Sequence, residues 1–187
     1  MLNILVLYYS QDGSVHQLAQ QIGRGINSID GCEAVLRTVP NINQKNNPDF
    51  APEVELNEIE ECHALALGSP THFGNMSGVM KTFIDSLTSI WIKGSLENKL
   101  ATVFTSTSSI HGGNEATLLT MQIPLQHLGM ITLGVPYSVS ELKSTQTGGT
   151  PYGASHTGND INLSSDEQKI AFAQGKRLAE LTIKLNA

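Results

Sequence analysis

The sequence predicts an α/β protein: a doubly wound, five-stranded parallel sheet with helices on both faces. Three observations carry this. Apolar runs rich in strand formers, at residues 4–9 and 63–68, match strands buried on both faces. Between such runs, apolar residues recur at helical spacing, as at Val15, Leu18, Ala19, Ile22 and Ile26. The two patterns alternate along the chain, and that alternation calls for a parallel sheet.

The elements follow in order. The run 4–9 is the first strand, and a polar turn at 10–14 leads into the first helix. Residues 33–39 alternate loosely and form the second strand. Residues 40–57, rich in Asn, Pro and acids, are a loop, and 53–61 is a short acidic helical turn. The third strand, 63–68, ends in a polar loop. A helix is expected from about Asn75, with Met76, Val79, Met80, Phe83, Ile84 and Leu87 inward. Residues 99–106 are the fourth strand. A helix follows at 115–127, bent or shortened by Pro124. Residues 130–136 are the fifth strand, and 165–186 is a last helix with a Ser-Ser-Asp-Glu start. Residues 144–159 carry no Asp, Glu, Lys or Arg and are punctuated by glycine. Such a loop is expected to pack against a ligand or another subunit.

The 187 residues suit one domain, 1–187. Net charge is −6, and the 11 Lys and Arg are scattered. Nucleic-acid binding is disfavoured, because it needs clustered cations. No apolar stretch approaches the length of a membrane span, and the start of the chain has no basic region, so a cytoplasmic protein is expected. Cys32 and Cys62 form no CxxC pair, and the six histidines lack metal-ligand spacing, so no metal site is expected.

Three strands end in polar, glycine-containing loops, at 10–14, 69–75 and 106–114. In a parallel sheet these ends share one edge, where ligands bind at the switch in strand order. The first loop lacks the Lys of a Walker A loop and the glycines of a dinucleotide loop. It suits a terminal phosphomonoester held by main-chain N–H groups and hydroxyls at a helix N-terminus. The other two offer Thr71, His72, Phe73, Ser106, Thr107, Ser108 and Ser109, with glycines at 74, 112 and 113. That set suits a flat polar ring. One phosphate, one ring and no metal point to flavin mononucleotide (FMN) over ATP.

With those residues in view, the chain resembles the WrbA family of flavodoxin-like NAD(P)H:quinone oxidoreductases. The matching pieces are VLYYS at 6–10, PTHFGNMSG at 70–78, the Trp91 region, residues 100–107, GGTPYGA at 148–154 and the last helix. The resemblance implies sheet order 2-1-3-4-5, noncovalent FMN and a homotetramer. It implies that Ser10, Gln11, Asp12, Gly13, Ser14 and Val15 hold the FMN phosphate. Thr71, His72 and Phe73 would meet the ring and ribityl chain, and Ser106, Thr107, Ser108 and Ser109, with Gly112 and Gly113, would close the other side. His111, on the third loop, and Gly74 and Asn75, on the second, are expected at the cofactor from their place at the ligand edge. It further implies that His127 approaches the flavin and that Trp91 lines the substrate cavity. From pattern alone, His127 reads as a helix-end cap and Trp91 as a core residue.

The chain departs from the family pattern in three places. Asp12 stands where an aromatic residue is usual, the 106–114 loop is one residue longer, and His72 replaces an Arg of some members. Asp12 is expected to point outward, away from a phosphate, and to face an incoming NADH or NADPH. No nucleophile–base pair stands out, which agrees with chemistry carried by a cofactor. The leading expectation is quinone reduction by NAD(P)H through FMN. The alternatives are a one-electron carrier of flavodoxin type and an FMN-binding regulatory protein with little turnover.

Overall fold

The computed structural model describes residues 1–40 and 47–187. The elements are β1 (Leu2–Tyr8), α1 (Ser14–Asn27), β2 (Cys32–Thr38), α2 (Leu56–Glu61), β3 (Ala64–His72), β4 (Asn75–Met76) and α3 (Gly78–Asp85). They continue with α4 (Thr88–Lys93), β5 (Leu100–Thr107), α5 (Asn114–His127), β6 (Ile131–Thr132), α6 (Glu141–Ser144), β7 (Ala154–Thr157) and α7 (Ser165–Leu185). The expected loop at 40–57 lies partly outside the described residues.

The sheet runs β2-β1-β3-β5-β6, all neighbours parallel. In strand positions this is the order 2-1-3-4-5. Alternate residues of β1 serve opposite faces. Ile4, Val6 and Tyr8 pack with Val15, Leu18, Ile22 and Ile26 of α1 and with Ile170 and Leu178 of α7. Leu5 and Leu7 pack with Met80 and Phe83 of α3, Ile90 of α4 and Leu118 and Met121 of α5. Each such side chain contributes roughly 1.5–3 kcal/mol over its exposed state, so the first strand is pinned from both sides.

Helices α1 and α7 touch backbone to backbone. A Cβ on Gly25 would lie 2.1 Å from the Phe172 carbonyl oxygen, and one on Gly175 would lie 2.1 Å from that of Ile22. Only glycine permits this approach, which sets the position of α1 and of its N-terminus.

The fifth strand position differs from the expected single strand at 130–136. β6 pairs with Leu100 and Ala101, and β7 takes over beside Phe104–Thr107. The chain leaves the ladder at Gly134, where a Cβ would meet the Pro151 carbonyl oxygen at 2.3 Å. Val135 then donates its N–H to Pro151 and not to β5. The uncharged stretch 144–159 is therefore mainly internal structure. Gly148 lies against the Ser155 carbonyl and Gly153 against that of Val103, where a Cβ would sit 2.1 and 2.2 Å away. Only its last residues, Gly158 and Asn159, reach the ligand edge.

Two helix expectations also shift. The helix expected from Asn75 starts at Gly78, because Ser77 caps it, Met80 donating its N–H to Ser77 Oγ at 3.2 Å. Asn75 and Met76 instead pair back onto His72 and Thr71. Pro124 lies inside α5 without shortening it, and Leu128 N–H donates to the Pro124 carbonyl at 3.0 Å.

Candidate functional site

β1 delivers the chain to the sheet edge at Tyr9. Ser10 then shapes the turn, since its Oγ accepts from Gly13 N–H at 3.1 Å and His16 N–H at 3.4 Å. Gly13 adopts a left-handed φ of 104° at the helix start, a conformation open to glycine. Among the described residues, the main-chain N–H groups of Gln11, Asp12, Ser14 and Val15 have no hydrogen-bond partner in the protein. Such groups at a helix start need an acceptor. The first turn is held from behind by Tyr8, whose hydroxyl lies 2.6 Å from His16 Nδ1, and by Phe50 stacked on His16 at 4.7 Å. Burial in this cluster lowers the His16 pKa and raises that of Tyr8.

The turn forms one side of a polar cavity of about 290 Å³. Ser10, Gln11, Asp12, Ser14 and Val15 line it from β1 and α1, and Thr71 and His72 from the end of β3. Ser106, Thr107 and Ser108 line it from the end of β5. Among the described residues, its walls contain no Lys or Arg. The third loop is braced by Thr107 Oγ1, which donates to the Ser109 carbonyl at 2.8 Å. Asn114, at the start of α5, donates from Nδ2 to Thr157 Oγ1 at 2.9 Å.

The Phe73–Gly74 turn stands beside this cavity. Its flanks, His72 and Asn75, are paired, and both turn residues have positive φ, 53° and 75°. This is the twist of a tight hairpin turn, uncommon for a phenylalanine. The Phe73 side chain is fully exposed. Gly113 packs on the turn, where a Cβ would come within 2.9 Å of Gly74 Cα.

Beyond the turn lies a larger apolar groove of about 840 Å³. Asn75, Met76, Ile84, Leu87, Ile123 and Pro124 are among its walls, with Trp91 and His127. The Trp91 and His127 rings stack at 5.7 Å, with 27° between planes.

Residues 2–144 match the family model described as NADPH-dependent FMN reductase. The chain belongs to this family. It is 38% identical over 205 residues to an NAD(P)H dehydrogenase (quinone) of Geobacter sulfurreducens, covering 99% of this chain and 100% of that protein. It is 36% identical to a protein of the same name from Geotalea daltonii, with 98% of each covered. A crystal structure of a flavodoxin, WrbA-like protein from Agrobacterium tumefaciens shares the fold, with TM-score 0.75, 19% identity and 98% and 99% of the two chains covered.

In this FMN reductase family member, ten of the expected site residues meet in the polar cavity: Ser10, Gln11, Asp12, Ser14, Val15, Thr71, His72, Ser106, Thr107 and Ser108. Gly13 shapes the turn. Asn75, Trp91 and His127 line the apolar groove instead. Phe73, Gly74, Ser109, His111, Gly112 and Gly113 line neither. Asp12 is exposed, as expected, yet it borders the polar cavity. Burial raises the Tyr9 hydroxyl pKa and the Asp12 carboxylate adds to it.

Sequence reasoning did not assign Pro70, Gly158, Asn159 and Ile161 to the site, and all four line the cavity. The last three form a wall supplied by the turn after β7. Its signal was present in the glycine-punctuated stretch, which ends in Gly158-Asn159.

Proposed function

We propose that this chain is an FMN-dependent NAD(P)H:quinone oxidoreductase acting as one domain over residues 1–187. The observation that carries the reading is the polar cavity, without Lys or Arg among the described residues, in which unpaired N–H groups of the 11–15 turn converge with hydroxyls from two further loops. The full-length relatives named NAD(P)H dehydrogenase (quinone) support it.

The residues present fit the group. The free N–H groups of Gln11, Asp12, Ser14 and Val15, with the Ser10 and Ser14 hydroxyls, form a cradle for a phosphate dianion at a helix N-terminus. Thr71, His72 and Ser106 to Ser108 offer donors and acceptors to the ribityl chain and ring, and Phe73, Gly74, Asn75, Ser109, His111, Gly112 and Gly113 lie on the same two loops. FMN held there would supply two-electron redox chemistry between NADH or NADPH and a quinone. The chain's residues bind and orient, and they exclude water. The apolar groove with Trp91 and His127 takes the nicotinamide and the quinone in turn.

We place the protein in the cytoplasm. No helix among the described residues is long and apolar enough to cross a membrane. We also propose a homotetramer, supported by exposed Trp91 and Ile123 on the groove and by exposed Phe73 and Ile92.

The test is steady-state turnover with NADH or NADPH and benzoquinone. Parallel double-reciprocal lines are expected. A bound flavin that stays oxidised under anaerobic excess NAD(P)H contradicts the reading. Asp12→Tyr removes a charge facing the nicotinamide's phosphates, an effect of about 1 kcal/mol. It should lower the Michaelis constant for the nicotinamide about fivefold. An unchanged constant would mean that Asp12 does not face the nicotinamide.

A further inference from the structure

The proposed reaction leaves one buried pair of titratable groups unused. His156, on β7, is 3% exposed, and Glu167, in the first turn of α7, is 1% exposed. His156 Nδ1 lies 3.0 Å from Glu167 Oε2, and its Nε2 lies 2.6 Å from the Asp160 main-chain carbonyl oxygen. A carbonyl accepts only, and so does an ionised carboxylate. A neutral imidazole has one N–H and would turn a bare lone pair toward one of them. Both contacts are hydrogen bonds only when both ring nitrogens carry protons.

Glu167 is ionised to match. Its Oε1 accepts from Gly148 N–H at 2.8 Å and Thr157 N–H at 3.0 Å, and its Oε2 accepts from Ser164 N–H at 2.7 Å. Burial opposes the charge on His156, but the Glu167 carboxylate and the Asp160 carbonyl outweigh it and raise the pKa. The charges bearing on the ring are Glu167 from α7 and Asp160 from the following turn. β5 presents Ser106, the register partner of His156. α1, which also packs against β7, directs its His16 to Tyr8 and Phe50.

The ring's second bond ends on the turn that walls the polar cavity. Gly158, Asn159 and Ile161 line that cavity, with Asp160 between them. A Cβ on Gly158 would lie 3.9 Å from His156 Nε2, and one on Gly13 would lie 3.8 Å from Ile161 Cγ2. The wall therefore reaches from His156 to the start of α1, where the unpaired N–H groups lie.

We propose that His156, as an imidazolium held by Glu167, is a positioning residue for FMN: it clamps the 158–161 turn beside the phosphate cradle and releases it on deprotonation. This rests on the FMN reading above. The raised pKa sets the direction, so the clamp is complete below the ordinary histidine value and is lost as pH rises through the raised one.

The test is FMN binding to the apoprotein, read by flavin fluorescence quenching from about pH 6.5 to about pH 9.5, for wild type and His156→Gln. Ionisation of FMN itself is common to both. The wild-type Kd should rise by up to about tenfold per pH unit above the His156 pKa. His156→Gln should bind about tenfold more weakly at neutral pH, without that extra dependence. A wild-type Kd that tracks the variant at every pH overturns the clamp and leaves the FMN reading standing. A wild type that binds no FMN at any pH overturns both. Should His156→Gln not fold, long-range proton–nitrogen correlation spectra of the wild type decide. Two protonated ring nitrogens on His156 near neutral pH support the clamp, and a single neutral tautomer overturns it.

Discussion

Ser14→Asp will weaken FMN binding by about a thousandfold while leaving the fold intact. Ser14 is the first residue of α1 and lines the polar cavity. A carboxylate there sits among the unpaired N–H groups of the turn, where the proposed phosphate cradle lies. Two like charges about 4 Å apart near a protein surface repel by about 4 kcal/mol, which is about three powers of ten in Kd. The same carboxylate at a helix N-terminus stabilises the helix by about 0.3–1 kcal/mol. Thermal stability should therefore hold or rise as FMN affinity collapses. Fluorescence titration and a melting curve on one sample separate the two effects, and an unchanged Kd would show that the phosphate lies elsewhere.

Glu167→Ala will cost about 3–5 kcal/mol of stability, the loss expected when one partner of a buried charge pair is removed. It strands the His156 imidazolium and leaves the N–H groups of Gly148, Thr157 and Ser164 without their acceptor. For a chain of this size the melting temperature should fall by about 6–20 °C. Burial works to raise the Glu167 pKa, yet the bond to His156 and the three N–H donors bring it to about 2. The folded value is below the ordinary 4.5, so this stabilisation is present above 4.5 and is lost as pH falls toward 2. The His156 value is raised above 6.5, so its share is full below 6.5 and is lost as pH climbs past the folded value. The gap between wild type and Glu167→Ala should thus be widest between about pH 4.5 and about pH 6.5. Melting curves across pH check this, and a gap that does not change with pH would remove the ionic account of the pair.

The centre of the fold was legible because it repeats a strong signal. Leu5, Leu7, Leu65 and Leu67 read as doubly buried strands, and they are. The helical spacing from Val15 to Ile26 matches α1. The edge was not legible. β6 is two residues and β7 four, too short to show a period, and the two lie far apart in sequence. Their shared position depends on contacts such as Gly134 against Pro151, which no local pattern announces.

The candidate site divides the same way. Residues on turns directly after β1, β3 and β5 could be grouped from sequence because strand ends in a parallel sheet meet at one edge, and ten of them do line one cavity. Gly158, Asn159 and Ile161 were not assigned to it, since their strand was itself hidden. Glu167 reads in the sequence as part of a helix cap, and it does complete a capping box with Ser164. Its second role, facing His156, needs the register of β7 against α7. Trp91 and His127 lie 36 residues apart, and only the fold places their rings together.

The most direct measurement is titration of FMN into the apoprotein, followed by flavin fluorescence. Quenching that saturates at one FMN per chain, at micromolar concentrations or below, is the predicted result. Fluorescence that stays at the level of free FMN throughout would contradict the account.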